Sequence, residues 1–355
     1  MIHQVIGQVR GSLQAVSHAR DLRSRRPPAL RYADRPAGAP TIYYLTPDQT
    51  APRGGVRMNY RHVDLLNELG MRASVLHSRP GFQVSWFDNK TPVAAAPEIT
   101  LGPDDIIVVP EFYAPGFDVL PAEARKIVFN QGAYHTFDYA EDDGAPGAPY
   151  TQVPNLLGLL TVSDDSAALL RYTFPGLTVH QARAVINQTL FHREGRPSGR
   201  RISFVPRRRP LDRRQLFHML RARGVLDGWE LCAIEGRTEA QTAELMRSSA
   251  LFLSFSEREG FGLPPVEAMA AGCFVVGYSG LGGREYFDPA DSGPVPDSDL
   301  LAFATAVEDA VRRYDTDPEG LAAAGAAASD RVLKRYDVDG LRDDLVALYR
   351  PILSE

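Results

Sequence analysis

Short apolar runs alternate with amphipathic stretches along most of this chain, and this alternation limits the fold more than any other feature. From Thr41 onward, runs rich in β-branched and aromatic residues, such as Thr41–Pro47, Arg72–His77 and Thr178–Ile186, predict strands. Gly55–Leu69 repeats apolar residues at helical spacing, which predicts a helix that ends at Gly70. Strands that alternate with helices form parallel β-α units, because parallel strands need long crossover connections. The sequence therefore predicts an α/β protein.

A polar stretch at Asn187–Arg200 interrupts this rhythm, which begins again with a strand at Ile202–Pro206. We therefore expect two doubly wound domains, residues 41–190 and residues 191–355, that face each other across a cleft. The last helix, at Val338–Leu353, could pack back on the first domain. Open α/β sheets bind ligands beyond the carboxyl ends of their strands, so the cleft is the expected binding site.

Residues 1–40 form a separate helical extension and linker in this interpretation. Apolar residues recur at helical spacing from Ile2 to Val16, and a basic end follows at Arg20–Arg26. An amphipathic helix of this kind could contact a membrane surface as a peripheral anchor. It could equally dock on its own domain or on a second subunit, and the sequence leaves these alternatives open.

Composition narrows the class of protein. The net charge of −5 in a chain of 355 residues argues against a general nucleic-acid binder. The two cysteines, Cys232 and Cys273, lie in apolar segments, so we expect buried thiols in a reducing compartment and no Cys/His metal site. No apolar run reaches the roughly 20 residues that span a bilayer. The N-terminus lacks the apolar core of a secretory signal. These features predict a cytoplasmic protein.

The most informative segment is Leu251–Gly277, LFLSFSEREGFGLPPVEAMAAGCFVVG. It predicts an apolar strand, a glycine-rich loop, a helix opened by two prolines, and a further strand. The start of that helix carries partial positive charge and could hold a phosphate through the amides of Phe261, Gly262 and Leu263. Glu259 in the loop and Glu267 in the helix could accept hydrogen bonds from sugar or ribose hydroxyls.

This segment resembles the signature of the family 4 group of retaining glycosyltransferases, including its Glu-x7-Glu motif. The resemblance implies the GT-B fold, in which two Rossmann-like domains enclose a nucleotide-sugar site. It also implies that Glu259 contacts the donor sugar and Glu267 the ribose. The backbone of Gly260, Phe261, Gly262 and Leu263 would then lie beside the sugar and the pyrophosphate.

Three adjacent arginines follow the strand Ile202–Pro206. Arginine supplies bidentate donors, and fixed cations offset the charge that develops on a diphosphate leaving group. Related enzymes have an arginine and a lysine several residues apart here, whereas this chain has Arg207, Arg208 and Arg209 and no lysine. We expect Arg207, and next Arg208, to meet the phosphates.

Two turns in the first domain are further candidates for the donor side of the cleft. Gly54 and Gly55 open the first helix, and a glycine pair there permits close approach of a ligand. Arg57 could face the same space. After a later strand come Gln131 and His135, and related enzymes often place a histidine here that touches the sugar. We name His135 as the catalytic candidate beside Glu259 and Arg207, while Gln131 stays open for the same contact.

Weaker signals complete the predicted site. Glu235, in the turn Ile234–Arg237, could lie beside the nucleotide base. Three Asp-x-Asp pairs, at residues 297–299, 315–317 and 337–339, formally match a metal site, but each precedes a helical run where aspartate caps exposed N–H groups. We therefore expect no metal and no cofactor besides the nucleotide-diphosphate sugar, which is a co-substrate.

The function predicted from these features is retaining transfer of a sugar from a nucleotide-diphosphate sugar to an acceptor hydroxyl. Glycan, glycolipid or natural-product biosynthesis would use such a reaction. A nucleotide-sugar epimerase on the same fold and a non-catalytic nucleotide-sugar-binding protein are the alternatives. The sequence does not disclose the acceptor, the sugar, the base or the oligomeric state.

Overall fold

A computed structural model describes residues 21–35, 38–140, 144, 149–195 and 199–354. The predicted helix from Ile2 to Val16 and the charge of Arg20 lie outside these residues. Residues 21–24 are helical, and the guanidinium of Arg25 lies 4.8 Å from the ring centroid of Phe112 and 4.2 Å from that of Tyr139. The described end of the basic segment therefore docks on its own first domain.

Two parallel sheets form the framework. The first has seven strands in the order β4-β3-β2-β6-β7-β8-β9, and the second has five in the order β11-β10-β12-β13-β14. A small parallel pair, β1 with β5, lies apart from them. The strands are β1 Arg31–Tyr32, β2 Ile42–Leu45, β3 Ala73–His77, β4 Val93–Ala95, β5 Thr100–Leu101, β6 Ile106–Pro110, β7 Arg125–Asn130, β8 Leu156–Thr161, β9 Val179–Gln181, β10 Gly199–Phe204, β11 Glu230–Ala233, β12 Ser249–Glu259, β13 Phe274–Leu281 and β14 Gly293–Val295.

Helices connect and cover the strands, which gives the two Rossmann-like domains that the strand–helix alternation predicts. The α-helices, labelled here from residue 54 onward, are α1 Gly54–Glu68, α2 Asp164–Thr173, α3 Pro210–Ala222, α4 Glu239–Arg247, α5 Leu263–Ala270, α6 Leu300–Thr316, α7 Pro318–Arg335 and α8 Val338–Leu353. Short 3₁₀ helices follow β6, β7 and β13.

Side-chain caps fix several helix starts. The Ser163 hydroxyl accepts the Ser166 amide at the start of α2, and Thr238 with Gln241 forms a reciprocal capping box at the start of α4. The second aspartate of each Asp-x-Asp pair also caps a helix. Asp299, Asp317 and Asp337 accept backbone amides at the starts of α6, α7 and α8. The capping role predicted for these three pairs is confirmed.

Two sequence expectations were wrong in detail. The predicted strand Thr178–Ile186 pairs in the sheet only at Val179–Gln181, because the chain then leaves the sheet and the Ile186 amide bonds the Tyr336 carbonyl. Cys273 is buried as predicted, whereas Cys232 is half-buried because β11 is an edge strand of its sheet.

The carboxyl ends of both sheets point at the space between the domains. On the first sheet, the turn after β2 leads to α1, and Gln131 follows β7. On the second, the arginine loop follows β10, and Gly260 follows β12. Parallel strands bring these loops to one edge of each sheet, so the cleft collects side chains that lie far apart in the sequence.

The last helix joins the two domains. From α8, the Tyr349 hydroxyl hydrogen-bonds the Tyr44 hydroxyl of β2 at 2.8 Å, and Asp344 pairs with Arg183 at 2.8 Å. Tyr349 belongs to one cluster of buried side chains that includes Phe129 of the first sheet and Phe252 of the second. The two domains therefore share a continuous apolar core through α8. No helix among the described residues is long and apolar enough to cross a membrane.

The Tyr44–Tyr349 contact yields a stability test. Replacing Tyr349 with Phe removes one buried hydroxyl–hydroxyl hydrogen bond and should cost about 1 kcal/mol, which lowers the melting temperature by roughly 2–4 °C. Differential scanning calorimetry measures this. Tyr172→Phe is the matched control, because Tyr172 is 87% exposed and should leave the melting temperature unchanged. Equal melting temperatures of Tyr349→Phe and wild type would contradict this role of α8.

Candidate active site

The loops at the carboxyl ends of the two sheets enclose a cleft of about 730 Å³. The first domain supplies residues from the β2–α1 turn, the loop after β3, and the end of β7. The second supplies the loops after β10, β11 and β12 and the first turns of α4 and α5. The lining residues are Pro52, Arg53, Gly54, Gly55, Arg57, Met58, Trp86, Gln131, Val162, Phe191, Arg207, Gly236, Arg237, Thr238, Glu239, Thr242, Glu259, Gly260, Phe261, Gly262, Leu263, Pro264 and Glu267.

The loop between β12 and α5 is pinned by a buried tyrosine. The Tyr286 hydroxyl lies 2.9 Å from the Phe261 carbonyl and 2.7 Å from the Gly262 carbonyl. Gly262 has a φ of +86°, and a Cβ at that position would lie 2.8 Å from the tyrosine oxygen. Only glycine suits both the backbone conformation and the space. The loop therefore holds one shape at the helix start.

Gly260 lies at a close contact between the two domains. A Cβ on this residue would lie 1.9 Å from the carbonyl oxygen of Gln131. The Gly260 carbonyl also accepts hydrogen bonds from the hydroxyls of Ser163, at 2.6 Å, and Ser166, at 3.1 Å. Gly260 lines the cleft, and its close neighbour is the backbone of the first domain.

The three adjacent arginines have three different environments. Arg207 lines the cleft. The Arg208 Nε lies 2.9 Å from Glu259 Oε1, so Arg208 holds the carboxylate at the cleft wall. Arg209 has a left-handed backbone, with φ of 43°, and turns away to Asp297 at 2.6 Å. Of the three, only Arg207 is a lining residue of the cleft.

Glu259 and Glu267 both line the cleft, but their surroundings differ. The pKa of Glu267 is raised to about 7, mainly by burial and also by the negative charge of Glu239, while the positive charge of Arg57 opposes both effects. Arg57 of α1 forms an ion pair with Glu239 of α4 across the cleft. Glu267 therefore lies beside an inter-domain ion pair, and its protonation state changes near neutral pH.

Gln131 supports the glycine pair at the start of α1. Its amide nitrogen donates to the Gly55 carbonyl at 3.3 Å and to Asn59 Oδ1 at 3.1 Å. A Cβ on Gly55 would lie 2.7 Å from Gln131 Oε1, and one on Gly54 would lie 3.0 Å from a methyl group of Leu263. The glycine pair thus brings the first turn of α1 close to the start of α5.

Three predicted site residues lie outside the cleft lining, namely Arg208, His135 and Glu235. His135 lies in a neighbouring cavity of about 410 Å³, and its Nδ1 is 2.5 Å from Asp138 Oδ2. Asp138 also pairs with Arg258 of the second domain at 2.8 Å. Glu235 is exposed, although Gly236, which follows it, lines the cleft. Of Gln131 and His135, only Gln131 lines the cleft.

Sequence reasoning missed several lining residues, of which Trp86 and Glu239 are the most informative. Trp86 lies in the irregular segment between Pro80 and Pro97, where no periodicity reveals which side chain turns inward. Glu239 was missed because it is the first residue of an ordinary helix, whose start is marked by the capping box of Thr238 and Gln241. Among the described residues, no group of three or more His, Cys, Asp or Glu side chains could hold a metal ion.

Comparisons with known proteins agree with this architecture. Residues 226–328 match the model of the family described as Glycosyl transferases group 1. An alpha-1,6-glucosyltransferase of Actinobacillus pleuropneumoniae serotype 7 (strain AP76) is 26% identical over 267 residues, which cover 73% of this chain and 79% of that protein. The matched family region contains β12, the glycine loop and α5.

Solved structures share the fold at low sequence identity. Sucrose-phosphate synthase from Thermosynechococcus elongatus superposes with a TM-score of 0.64 at 13% identity, covering 89% of this chain and 99% of that one. Anabaena HepE in complex with UDP and glucose gives a TM-score of 0.60 at 12% identity, covering 86% and 98%. The chain has the GT-B fold, and together with the matched family region these findings support glycosyltransferase as its enzyme class.

The contact between Gly260 and Gln131 can be tested by a single methyl group. Gly260→Ala should push the two loops apart, because its Cβ would overlap the Gln131 carbonyl. We expect a melting temperature several degrees lower by scanning calorimetry. Gly199→Ala is the control, because the nearest atom to its Cβ would be at an ordinary 3.8 Å. A Gly260→Ala variant with the melting temperature of wild type would refute the contact.

The raised pKa of Glu267 predicts a pH-dependent stability cost. Its ordinary value is 4.5, so as pH rises from 4.5 to 7 the unfolded chain ionises first and the folded state loses relative stability. That loss is complete above pH 7 and absent below 4.5. Glu267→Gln should therefore be about 1–2 kcal/mol more stable than wild type at pH 8, and nearly equal to it at pH 4.5. Thermal unfolding at both pH values measures this; an equal difference at both would contradict the assignment.

Proposed function

We propose that this protein is a retaining glycosyltransferase that moves a hexosyl group from a nucleotide-diphosphate sugar to an acceptor hydroxyl. The observation that carries the proposal is the meeting of Arg207, Glu259, Glu267 and the start of α5 in one cleft between two Rossmann-like domains. The group supplies cations, amides and carboxylates to the phosphate, sugar and ribose parts of such a donor.

The diphosphate is the leaving group in this scheme. Arg207 offers bidentate donors, and the start of α5 offers the backbone amides of Phe261, Gly262 and Leu263 together with the positive end of the helix dipole. Pro264 and Pro265 have no N–H group, so they add no donor in that turn. Fixed donors of this kind stabilise the charge that develops as the bond to the sugar breaks.

The carboxylates position the rest of the donor. Glu259, held by Arg208, accepts hydrogen bonds from sugar hydroxyls, and Glu267 accepts them from the ribose. Gln131 lines the cleft and His135 does not, so we assign the first domain's contact with the sugar to Gln131. The acceptor hydroxyl attacks from the face that the phosphate leaves, and the departing phosphate takes its proton. No metal ion and no protein nucleophile take part.

The relatives suggest which substrates to test first. Anabaena HepE was solved with UDP and glucose, so a UDP-hexose is the leading donor candidate. The Actinobacillus relative is an alpha-1,6-glucosyltransferase, so a primary hydroxyl of a carbohydrate is the leading acceptor candidate.

A thermal-shift panel tests the proposal. UDP, ADP, GDP and their glucose conjugates are each added with EDTA and, separately, with Mg²⁺. We expect one base to stabilise the protein strongly in EDTA, since stabilisation grows with ligand concentration over its Kd. No shift with any nucleotide would contradict the proposal. A shift that needs Mg²⁺ would contradict its metal-free form.

Arg207→Ala supplies the site-specific arm. Loss of one charge-assisted contact should raise the Kd of the nucleoside diphosphate by roughly 10–100-fold. Arg214→Ala is the matched control, because Arg214 is an exposed arginine of α3 outside the cleft. Unchanged affinity in Arg207→Ala would remove this residue from the site.

An activity assay separates an enzyme from a binding protein. An enzyme releases free sugar from the nucleotide sugar or transfers the sugar to a carbohydrate acceptor, whereas a binding protein does neither.

A further inference from the structure

Trp86 is a fixed aromatic side chain that the proposed mechanism does not use. It lies in the loop between β3 and β4, and its indole Nε1 donates to the Gln49 carbonyl at 3.2 Å. Its ring centroid is 4.7 Å from that of Phe87, which in turn packs against the buried Tyr60 at 5.3 Å. The indole is therefore held in place by the first domain before any ligand arrives.

The position of Trp86 marks one end of the cleft. An adjoining cavity of about 560 Å³ shares four lining residues with the cleft, namely Arg57, Trp86, Thr238 and Glu239. Neither Arg207 nor Glu259 lines that adjoining cavity. The Arg57 guanidinium lies 5.7 Å from the Trp86 ring and pairs with Glu239. Trp86 thus faces the start of α4 and the loop after β11, away from the carboxylate assigned to the sugar.

Trp86 also has open surface. The other aromatic residues in the cleft lining of the described chain are Phe191, which is 1% exposed, and Phe261, which is 4% exposed. Phe261 is packed edge-on against Tyr286 and has no free face for a ligand. Trp86 is only half-buried. It is therefore the aromatic platform that the described cleft can offer to a flat ligand group.

We infer that Trp86 stacks on the nucleobase of the donor. The inference rests on the proposed function, because it uses the placement of the ribose at Glu267. From that carboxylate the base extends towards Gly236 and Thr238 on one side, with the indole opposite. Stacking suits any base, since each has a π face, and it excludes water from the nucleoside end of the cleft.

One consequence is that both domains hold the nucleoside. The second domain supplies the loop after β11 and Glu267, and the first supplies Trp86. A ligand that contacts both domains binds the closed arrangement better than the open one, so it shifts the population towards closure. The Arg57–Glu239 ion pair lies beside the indole and joins the same two elements.

The chain contains two tryptophans, which permits a direct optical test. Trp229 is 8% exposed and packs against Tyr314, and its Nε1 has no hydrogen-bond partner among the described residues. Trp229→Phe therefore removes the second fluorophore without breaking a described hydrogen bond. In this variant we expect UDP, or whichever of ADP and GDP binds, to change Trp86 emission with the Kd that calorimetry measures.

The outcomes separate the two proposals. If the Trp229→Phe variant binds a nucleoside diphosphate by calorimetry while Trp86 emission stays constant, the stacking inference is overturned and the proposed function stands. If no nucleoside diphosphate binds to wild type by calorimetry, the proposed function fails, and the stacking inference fails with it.

Substitution of the platform gives a second readout. Trp86→Ala should raise the Kd of the nucleoside diphosphate about tenfold, whereas Trp86→Phe should keep it within about threefold. Phe82→Leu is the control in the same loop, because Phe82 packs on His77 and does not line the cleft. A Trp86→Ala variant that keeps nucleotide affinity but raises the KM of the acceptor would assign the ring to the acceptor instead and overturn the inference.

Discussion

The close approach of Gly260 to the carbonyl of Gln131 is the contact on which the rest of the site depends. It joins the loop after β12 to the end of β7, and two serine hydroxyls of α2 complete it. Because residue 260 has no Cβ, the two sheets can bring their carboxyl ends together around one cavity. The loop after β12 and the first domain are then parts of one surface, and the α8 helix joins the same two domains through the Tyr44–Tyr349 hydrogen bond.

The three arginines near this contact differ in what their charges meet. Of three consecutive arginines, Arg207 lines the cleft, Arg208 holds Glu259, and Arg209 is bound by aspartates outside the cleft. Arg208 and Arg209 are already paired with carboxylates of this chain, so their charges are offset within the protein. An arginine in the lining is the one suited to meet an arriving anion. The same reasoning explains why Glu267, beside Glu239 and largely desolvated, has a raised pKa.

Many of the helices and strands were predictable, because the spacing of apolar residues along the chain indicates them directly. The last helix, Val338–Leu353, was predicted residue by residue, and the helix at Gly54–Glu68 within one residue. The loop with Glu259 and its helix was also located, since glycine and proline mark such turns clearly. Trp86 was not, because an irregular loop carries no period that would say which side chain faces the cavity. Nor did the sequence separate Gln131 from His135, because both are polar side chains after β7 and only the fold shows which of them lines the cleft.

The sequence by itself determined the two α/β units, the order of their elements and the loop that carries the Glu-x7-Glu pair, because these follow from the spacing of neighbouring residues. The tertiary structure alone decided which arginine lines the cleft, that Gly260 meets the opposite domain, and that Trp86 and Arg57 face Glu239. Those relations join residues that are far apart in the sequence, from 51 positions for Arg208 and Glu259 to 182 positions for Arg57 and Glu239. They depend on how two sheets pack against each other, and no local pattern in the chain records that.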